Sequence, residues 1–364
     1  MTLVLTGECN LRCRYCYQNA RSAGPMPWPV LETAAERALQ TTSPGVHVIF
    51  AGGEPLLALD SMRRAVEYIE RRRAGLVVQY GLATNGTLLT PATVRFLDRH
   101  LFEIELSFDG VLPAQSVRGK HAFAPVDEAL DRLCADAAEI FWRRLSVGVT
   151  LDADAVPYLA ESFTYFLEKR LPSIAIAPAT GQAARWTPAV LRTLDRQLME
   201  VYSIARRHYE DTGGVPLTAF RKFSNKAPAA TGALCGAVDR GSVTVDVDGE
   251  VYACPMLAES SQRFANPRLA ATIQPMRIGH VADPAFWTRL AGLPARARRI
   301  GMFHAGPGRR SLHGSCIRCP HRFDCKACPL AVLAEPGHDS VQRIPDYLCA
   351  FNWTLMDLRR RFPV

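Results

Sequence analysis

Cys9, Cys13 and Cys16 lie within eight residues of one another, directly after a short apolar run at 3–5. Three thiolates on one loop can each take one iron of a cubane [4Fe–4S] cluster, which leaves the fourth iron without a protein ligand. Closely spaced cysteines also build zinc knuckles. Zinc would need a fourth donor close by, and apart from Cys134 the next cysteine is the distant Cys235.

The chain has eleven cysteines. Beyond the first three they comprise Cys235 and Cys254, then Cys316, Cys319, Cys325, Cys328 and Cys349, with Cys134 alone inside a helical pattern. Two Cys-x2-Cys pairs separated by five residues would suit zinc as well as iron–sulfur. Cys134 reads as a small buried residue. His304, His313, His321 and His338 surround the last group. A lone histidine is more often a surface or hydrogen-bonded residue than a ligand, so none is assigned to a metal.

The first residues show no basic n-region or small-residue cleavage site, so no export signal is expected. A cytoplasmic location follows, where cysteines at this density serve metal rather than disulfides. No run approaches a membrane span. The net charge is +8, with arginine far outnumbering lysine. The basic residues fall in short clusters such as 71–73, 143–144, 309–310 and 359–361, with no aromatic interleaving, which argues against a nucleic-acid partner.

The elements that must position these cysteines can be read from periodicity. Strands are expected at 3–5, 46–50, 76–82, 104–107, 145–150 and 174–176. Amphipathic helices are expected between them, near 30–42, 58–73, 91–99, 126–140 and 156–169. Six strands alternating with helices imply an α/β fold with a parallel sheet and crossover connections, a partial (β/α)6 barrel. A longer helix over 187–211 has Thr187 as N-cap and Pro188 at its first position. From about residue 226 onward turns and cysteines dominate, and a boundary near 220 is expected, giving segments 1–220 and 221–364. Within the second, 243–247 and 250–252, split by Asp248-Gly249, read as a hairpin with a type I′ turn.

The run Gly7-Glu8-Cys9-Asn10-Leu11-Arg12-Cys13-Arg14-Tyr15-Cys16-Tyr17 resembles the hallmark of the radical S-adenosylmethionine (SAM) superfamily, including the aromatic before the third cysteine. The resemblance implies a [4Fe–4S] cluster on Cys9, Cys13 and Cys16 whose open iron chelates SAM. One electron then cleaves the sulfonium to give a 5′-deoxyadenosyl radical. Later segments agree in order, each after a strand. Gly52-Gly53-Glu54-Pro55 resembles the family's segment at the SAM amino group, the glycines allowing close backbone approach and Glu54 accepting from an ammonium. Thr84-Asn85-Gly86 follows the third strand. By the same resemblance Ser107 and Asp109 belong near the SAM carboxylate and ribose, Arg118 suits a carboxylate clamp, and 147–149, centred on Gly148, would flank the adenine.

The later cysteines resemble the SPASM extension of these enzymes, which carries up to two auxiliary [4Fe–4S] clusters. Here Gly249-x4-Cys254 is followed by Cys316-x2-Cys319-x5-Cys325-x2-Cys328 and Cys349, the last pair departing from the family's usual three-residue spacing. The resemblance would put Cys316, Cys319, Cys325 and Cys349 on one cluster and Cys235, Cys254 and Cys328 on the other. The remaining iron of the latter is left to substrate, to Asp239 or to a histidine.

The expected activity is oxidation or crosslinking of side chains in a ribosomally synthesised peptide. The alternatives are a small-molecule alcohol dehydrogenase of natural-product biosynthesis and a structural metal scaffold, and the ordered SAM-site segments speak against the scaffold. Anaerobic sulfatase maturases share the architecture, but their Asp after the Gly-x4-Cys cysteine is Pro255 here. Their Gln before GGEP is Ala51, and their Tyr two residues after the third cysteine is Gln18. Cys254-Pro255 resembles peptide maturases instead. Partners implied are a peptide substrate, a separate leader-recognition protein, and a flavodoxin or ferredoxin as reductant. No acid or base is singled out.

Overall fold

The computed structural model describes residues 1–18, 24–181, 185–221, 242–261, 271, 274–300, 308–322, 324–325, 327–338 and 340–364, with backbone alone for 297–300. Its contacts divide the chain into two compact units. The first comprises Met1–Arg12, Cys16–Glu105 and Cys235–Phe303, and the second Cys13–Tyr15, Leu106–Leu234 and His304–Val364. Each therefore draws on residues from both sides of position 220. Cys235, Asp239 and His304 lie outside the described residues.

The first unit is built on a sheet. Strands β1 (Thr2–Thr6), β2 (Gly45–Gly52) and β3 (Val77–Thr84) run parallel, with Thr2 opposite Ile49 and Gly45 opposite Val77. All five residues of β1 are buried, as a parallel strand covered on both faces requires. Its other edge is also taken: β7 (Thr244–Val245) pairs with it in parallel, Thr2 opposite Thr244. Antiparallel β8 (Glu250–Tyr252) and β9 (Arg277–His280) follow. Helices α1 (Trp28–Leu39) and α2 (Leu59–Arg72) meet where Arg64 lies 3.6 Å over the Trp28 ring. Leu31, Met62, Val66 and Ile69 are buried alongside Val48 and Phe50. After α3 (Pro91–Arg99), Phe102 stacks on Phe50 and Tyr80 and closes this core.

The β7–β8 turn is not type I′, which needs positive φ at both central residues. Gly249 has φ 87°, whereas Asp248 is absent from the few non-glycine residues with positive φ. Gly249 N–H donates to Asp246 O at 2.9 Å, so the turn is type I with Gly249 as the bulge residue. The Asp246 carboxylate selects it by accepting from Val247 N–H at 2.9 Å and Ser260 N–H at 3.0 Å.

Strand β4 (Glu103–Ser107) leads into the second unit, where β5 (Leu145–Leu151) and β6 (Ile174–Pro178) pair in parallel. Around them lie α4 (Leu112–Gln115), α5 (Phe123–Asp136), α6 (Leu159–Glu168) and α7 (Pro188–Thr212). Phe108, Phe123, Tyr165 and Phe166 form one aromatic cluster. Helix α5 stops four residues short of the expected 140, because Ala137 leaves helical geometry at φ −145°. Cys134 is exposed rather than buried, since the inward face of α5 is Val126, Ala129, Leu130 and Leu133. Thr187 caps α7 as expected, accepting from Val190 N–H, and Gly213 in the left-handed region ends it. The last helix, Asp346–Arg361, packs along α7, with Thr354 donating to Asp195 at 3.0 Å. Among the described residues no helix is long and apolar enough to cross a membrane.

Candidate functional site

In the first unit the segments that follow β1, β2 and β3 are tied into one body. Gly53 N–H donates to Thr6 O, and Glu54 N–H to Glu8 O, both at 2.8 Å. A Cβ on Gly53 would sit 2.2 Å from Glu8 O, and one on Gly52 would sit 2.3 Å from Thr6 O. The close approach these glycines permit is therefore to the backbone that carries Cys9. Glu54 is fully buried. Its Oε1 accepts from Thr84 Oγ1 at 2.8 Å and Leu56 N–H at 3.1 Å, and its Oε2 from Asn85 N–H at 2.8 Å. Burial pushes its carboxyl up to about 7 against the pull of those three donors.

Asn85 passes the brace on to the cysteine loop. Its Nδ2 donates to Asn10 Oδ1 at 2.9 Å and to Cys9 Sγ at 3.8 Å. Leu11 N–H also reaches Cys9 Sγ, at 3.4 Å. Burial raises the Cys9 thiol, and these donors offset part of that rise. Thiolate ligands are commonly held by such N–H groups. Burial, then the charges of Cys16, Glu105 and Cys254, raises the Tyr17 phenol. Tyr17 is 38% exposed, so what counts is proximity: Cys254, on the turn after β8, lies near the Cys16 segment of the same unit.

In the second unit, Cys13–Tyr15 is fastened by its neighbours. Arg14 N–H donates to Val117 O at 3.1 Å, while its guanidinium pairs with Asp152 at 2.5 Å and Asp154 at 2.8 Å. Tyr15 donates to Asp109 Oδ2 at 2.6 Å. Arg118 donates to both Asp109 oxygens at 2.8 Å, and Thr150 N–H donates to Oδ1 at 2.8 Å. Asp109 is thus saturated from the ends of β4 and β5. Arg118 is 5% exposed and faces Asp109, which carries the salt bridge expected of a ligand carboxylate. Burial works against its charge and Asp109 more than restores it. Ser107 ends β4 half-buried, and Gly148 O accepts from Phe108 N–H at 3.2 Å.

The five later cysteines of the second unit separate into two groups. Cys316, Cys319, Cys325 and Cys349 line one cavity, together with Arg309 and His321. Cys328 lines a neighbouring cavity with Ile176, Thr218, Asp324 and Arg359. Short-range turns aim the four: Cys319 N–H donates to Cys316 O, Cys325 N–H to His321 O, and Cys349 sits in the first turns of the last helix. Among the described residues no three His, Cys, Asp or Glu side chains converge tightly enough for a single ion. A cubane asks for a wider spread, since each thiolate meets a different iron. Four cysteines around one cavity fit it better than zinc.

No role for Thr150, Asp152 or Arg309 was legible in the sequence, where Tyr15 and Thr84 stood only as members of their motifs. Each acts through a partner distant in the chain, and the one local signal was the aromatic before Cys16.

Residues 3–137 match the family described as the Radical SAM superfamily. A cysteine-type anaerobic sulfatase-maturating enzyme of Clostridium perfringens is 28% identical over 284 residues, covering 71% of this chain and 74% of that protein. A serine-type counterpart from Klebsiella aerogenes is 36% identical over 109 residues, covering 28% and 27%. Among solved structures, native anSMEcpe with bound AdoMet and the Kp18Cys peptide superposes with a TM-score of 0.76 at 18% identity, over 99% of this chain and 96% of that one. Streptococcus suis SuiB bound to precursor peptide SuiA gives 0.55 at 14% identity, over 96% and 75%. The mixed α/β fold, with its parallel strands and cysteine-rich C-terminal region, is shared with these structures, and residues 3–137 form the part of the chain that matches the Radical SAM superfamily.

Proposed function

We propose that this enzyme oxidises or crosslinks a side chain of a ribosomally synthesised peptide, with residues 1–220 forming the radical SAM part and 221–364 a SPASM-like extension. The observation that carries the reading is the pairing of the braced Cys9 loop with a separate cavity lined by four cysteines. The relatives add weight, since anSMEcpe and SuiB are described in complex with peptides.

In this reading Cys9, Cys13 and Cys16 would hold a [4Fe–4S] cluster to which SAM binds. Cys316, Cys319, Cys325 and Cys349 hold an auxiliary cluster, and Cys235, Cys254 and Cys328 take part in another. The chemistry such a cluster and SAM would supply there is radical hydrogen abstraction from the substrate. The chain's own residues orient. Gly52, Gly53 and Asn85 of the first unit would contribute to SAM binding, with Glu54 as their buried brace. Ser107 and Gly148 of the second unit would contribute too, near the Asp109–Arg118 pair, where Asp109 ties β4 to β5 through Thr150 N–H.

Sulfatase maturation itself is disfavoured by residues that offer no acid or phenol where those relatives have one. Pro255 opens a turn after Cys254, and Gln18 is buried with its Nε2 donating to Gly52 O at 3.3 Å.

The test is anaerobic co-expression with the short open reading frame beside the gene, followed by the peptide's mass. A loss of about two hydrogens supports the proposal. An unchanged mass while 5′-deoxyadenosine still forms in the same cells moves the assignment to a small-molecule dehydrogenase.

A further inference from the structure

The cavity lined by Cys316, Cys319, Cys325 and Cys349 is also lined by two residues with buried polar groups that find no partner among the described residues. Arg309 is 6% exposed; its Nη2 donates to Ala327 O at 2.9 Å, while its Nε is buried and unpaired. His321 is 3% exposed, stands edge-on to Trp353 with ring centres 4.9 Å apart, and has a buried, unpaired Nδ1. An unsatisfied buried donor costs about 1–3 kcal/mol, and a charged one more. The Arg309 Nε–H can only donate and is tolerable if the cavity's occupant accepts hydrogen bonds; His321 Nδ1 joins it as a second donor in the tautomer that carries its proton there.

Thiolate and sulfide sulfurs are such acceptors. The guanidinium is also placed by the segment that places the first cysteine, because Cys316 N–H donates to Arg309 O at 2.9 Å. Burial works against the charge on Arg309, and the thiolates of Cys325, Cys316 and Cys328 work for it. In the same cavity burial raises the Cys316 thiol, and a Ser311 hydrogen bond offsets part of that rise.

We propose that Arg309, with His321 beside it, donates to the sulfurs of the cluster held by Cys316, Cys319, Cys325 and Cys349 and thereby raises its reduction potential. This rests on the auxiliary-cluster reading above. A one-electron reduction adds one negative charge to an already anionic site. A buried cation and N–H donors aimed at its sulfurs favour the reduced form over the oxidised one. Arg309 and His321 are thus tuning residues that make this site the better electron acceptor.

The experiment is an EPR-monitored dithionite titration of the full-length protein with Cys9, Cys13 and Cys16 replaced by Ala, with iron measured on each sample. In that background Arg309→Gln should keep its iron but be at least tenfold less reduced at a fixed potential, a shift of about 59 mV for one electron. Arg309→Lys, keeping the charge without the planar fork, should recover part of the shift. Unchanged iron with an unchanged potential overturns the proposal. If Arg309→Gln loses iron, His321→Phe decides, and an unshifted potential there overturns it. If Cys316→Ala removes no iron from the background protein, the cluster reading itself has failed.

Discussion

Tyr15 and Asp109 are separated by 94 positions in the chain, yet the tyrosine hydroxyl donates to the carboxylate at 2.6 Å in a buried setting. The residue that precedes Cys16 is thereby anchored at the end of β4. Tyr15→Phe deletes one donor and keeps the ring. It should cost about 1–3 kcal/mol in urea unfolding, with lower iron retention on the first three cysteines. A full complement of iron with unchanged stability would show that the anchor is dispensable.

The Asp109–Arg118 pair should be far less tolerant. Asp109→Asn strands a guanidinium that is nearly inaccessible to water, and breaking such a pair costs about 3–5 kcal/mol. Adding Arg118→Met should recover part of that loss, because the uncompensated charge leaves with it. Additive losses in the double-mutant cycle would contradict the coupling.

Glu54 should give cluster-free protein a distinct pH signature. Its carboxyl is raised to about 7 from an ordinary value of 4.5, so the folded chain binds the proton more tightly than the unfolded one. The stabilisation is complete below about pH 4.5 and is lost as pH rises through 7, on the order of 3 kcal/mol in total. Glu54→Gln does not titrate, so the stability of the wild type relative to this variant should fall from pH 5 to 8. A constant difference between the two would place the carboxyl at an ordinary pKa.

Cys325→Ala should remove about four irons per chain while sparing 5′-deoxyadenosine formation more than product formation. Cys13→Ala should abolish 5′-deoxyadenosine altogether. Equal loss of both activities in Cys325→Ala would mean that the fold, rather than electron transfer, had been damaged.

Cys134 is the exposed cysteine among the ten described, so a bulky maleimide should label it first in the cluster-loaded protein. Cys134→Ser should abolish that early label and leave iron content unchanged. Persistent rapid labelling would point to a cluster cysteine lacking its iron.

What the sequence made legible was local. All six strands appear where apolar runs sit between turn residues, and Thr187-Pro188 starts a helix because cap and ring geometry act within one turn. The burial of Cys134 was misread although the period was available: Val126, Ala129, Leu130 and Leu133 define the inward stripe, and position 134 falls off it. The turn at Asp248-Gly249 was misassigned because its type is set by the Asp246 carboxylate, whose other partner, Ser260, is fourteen residues away. The roles of Glu54 and Arg118 needed three-dimensional information. A carboxylate and a guanidinium read alike from sequence whether they face a ligand or each other, and here burial and saturated hydrogen bonds turn both inward.

The pairing of Thr2 and Leu3 with Thr244 and Val245 bears on how the chain is made and divided. During synthesis β1 emerges well before its partner β7, so one of its edges stays open until more than two hundred further residues have left the ribosome. Such an open edge invites pairing with other chains. A fragment cut at residue 220 would expose it permanently, so truncation should yield insoluble material rather than a minimal enzyme. Nor can the later segment be grafted onto another barrel as a cassette, because part of it is a strand of the sheet that carries Cys9.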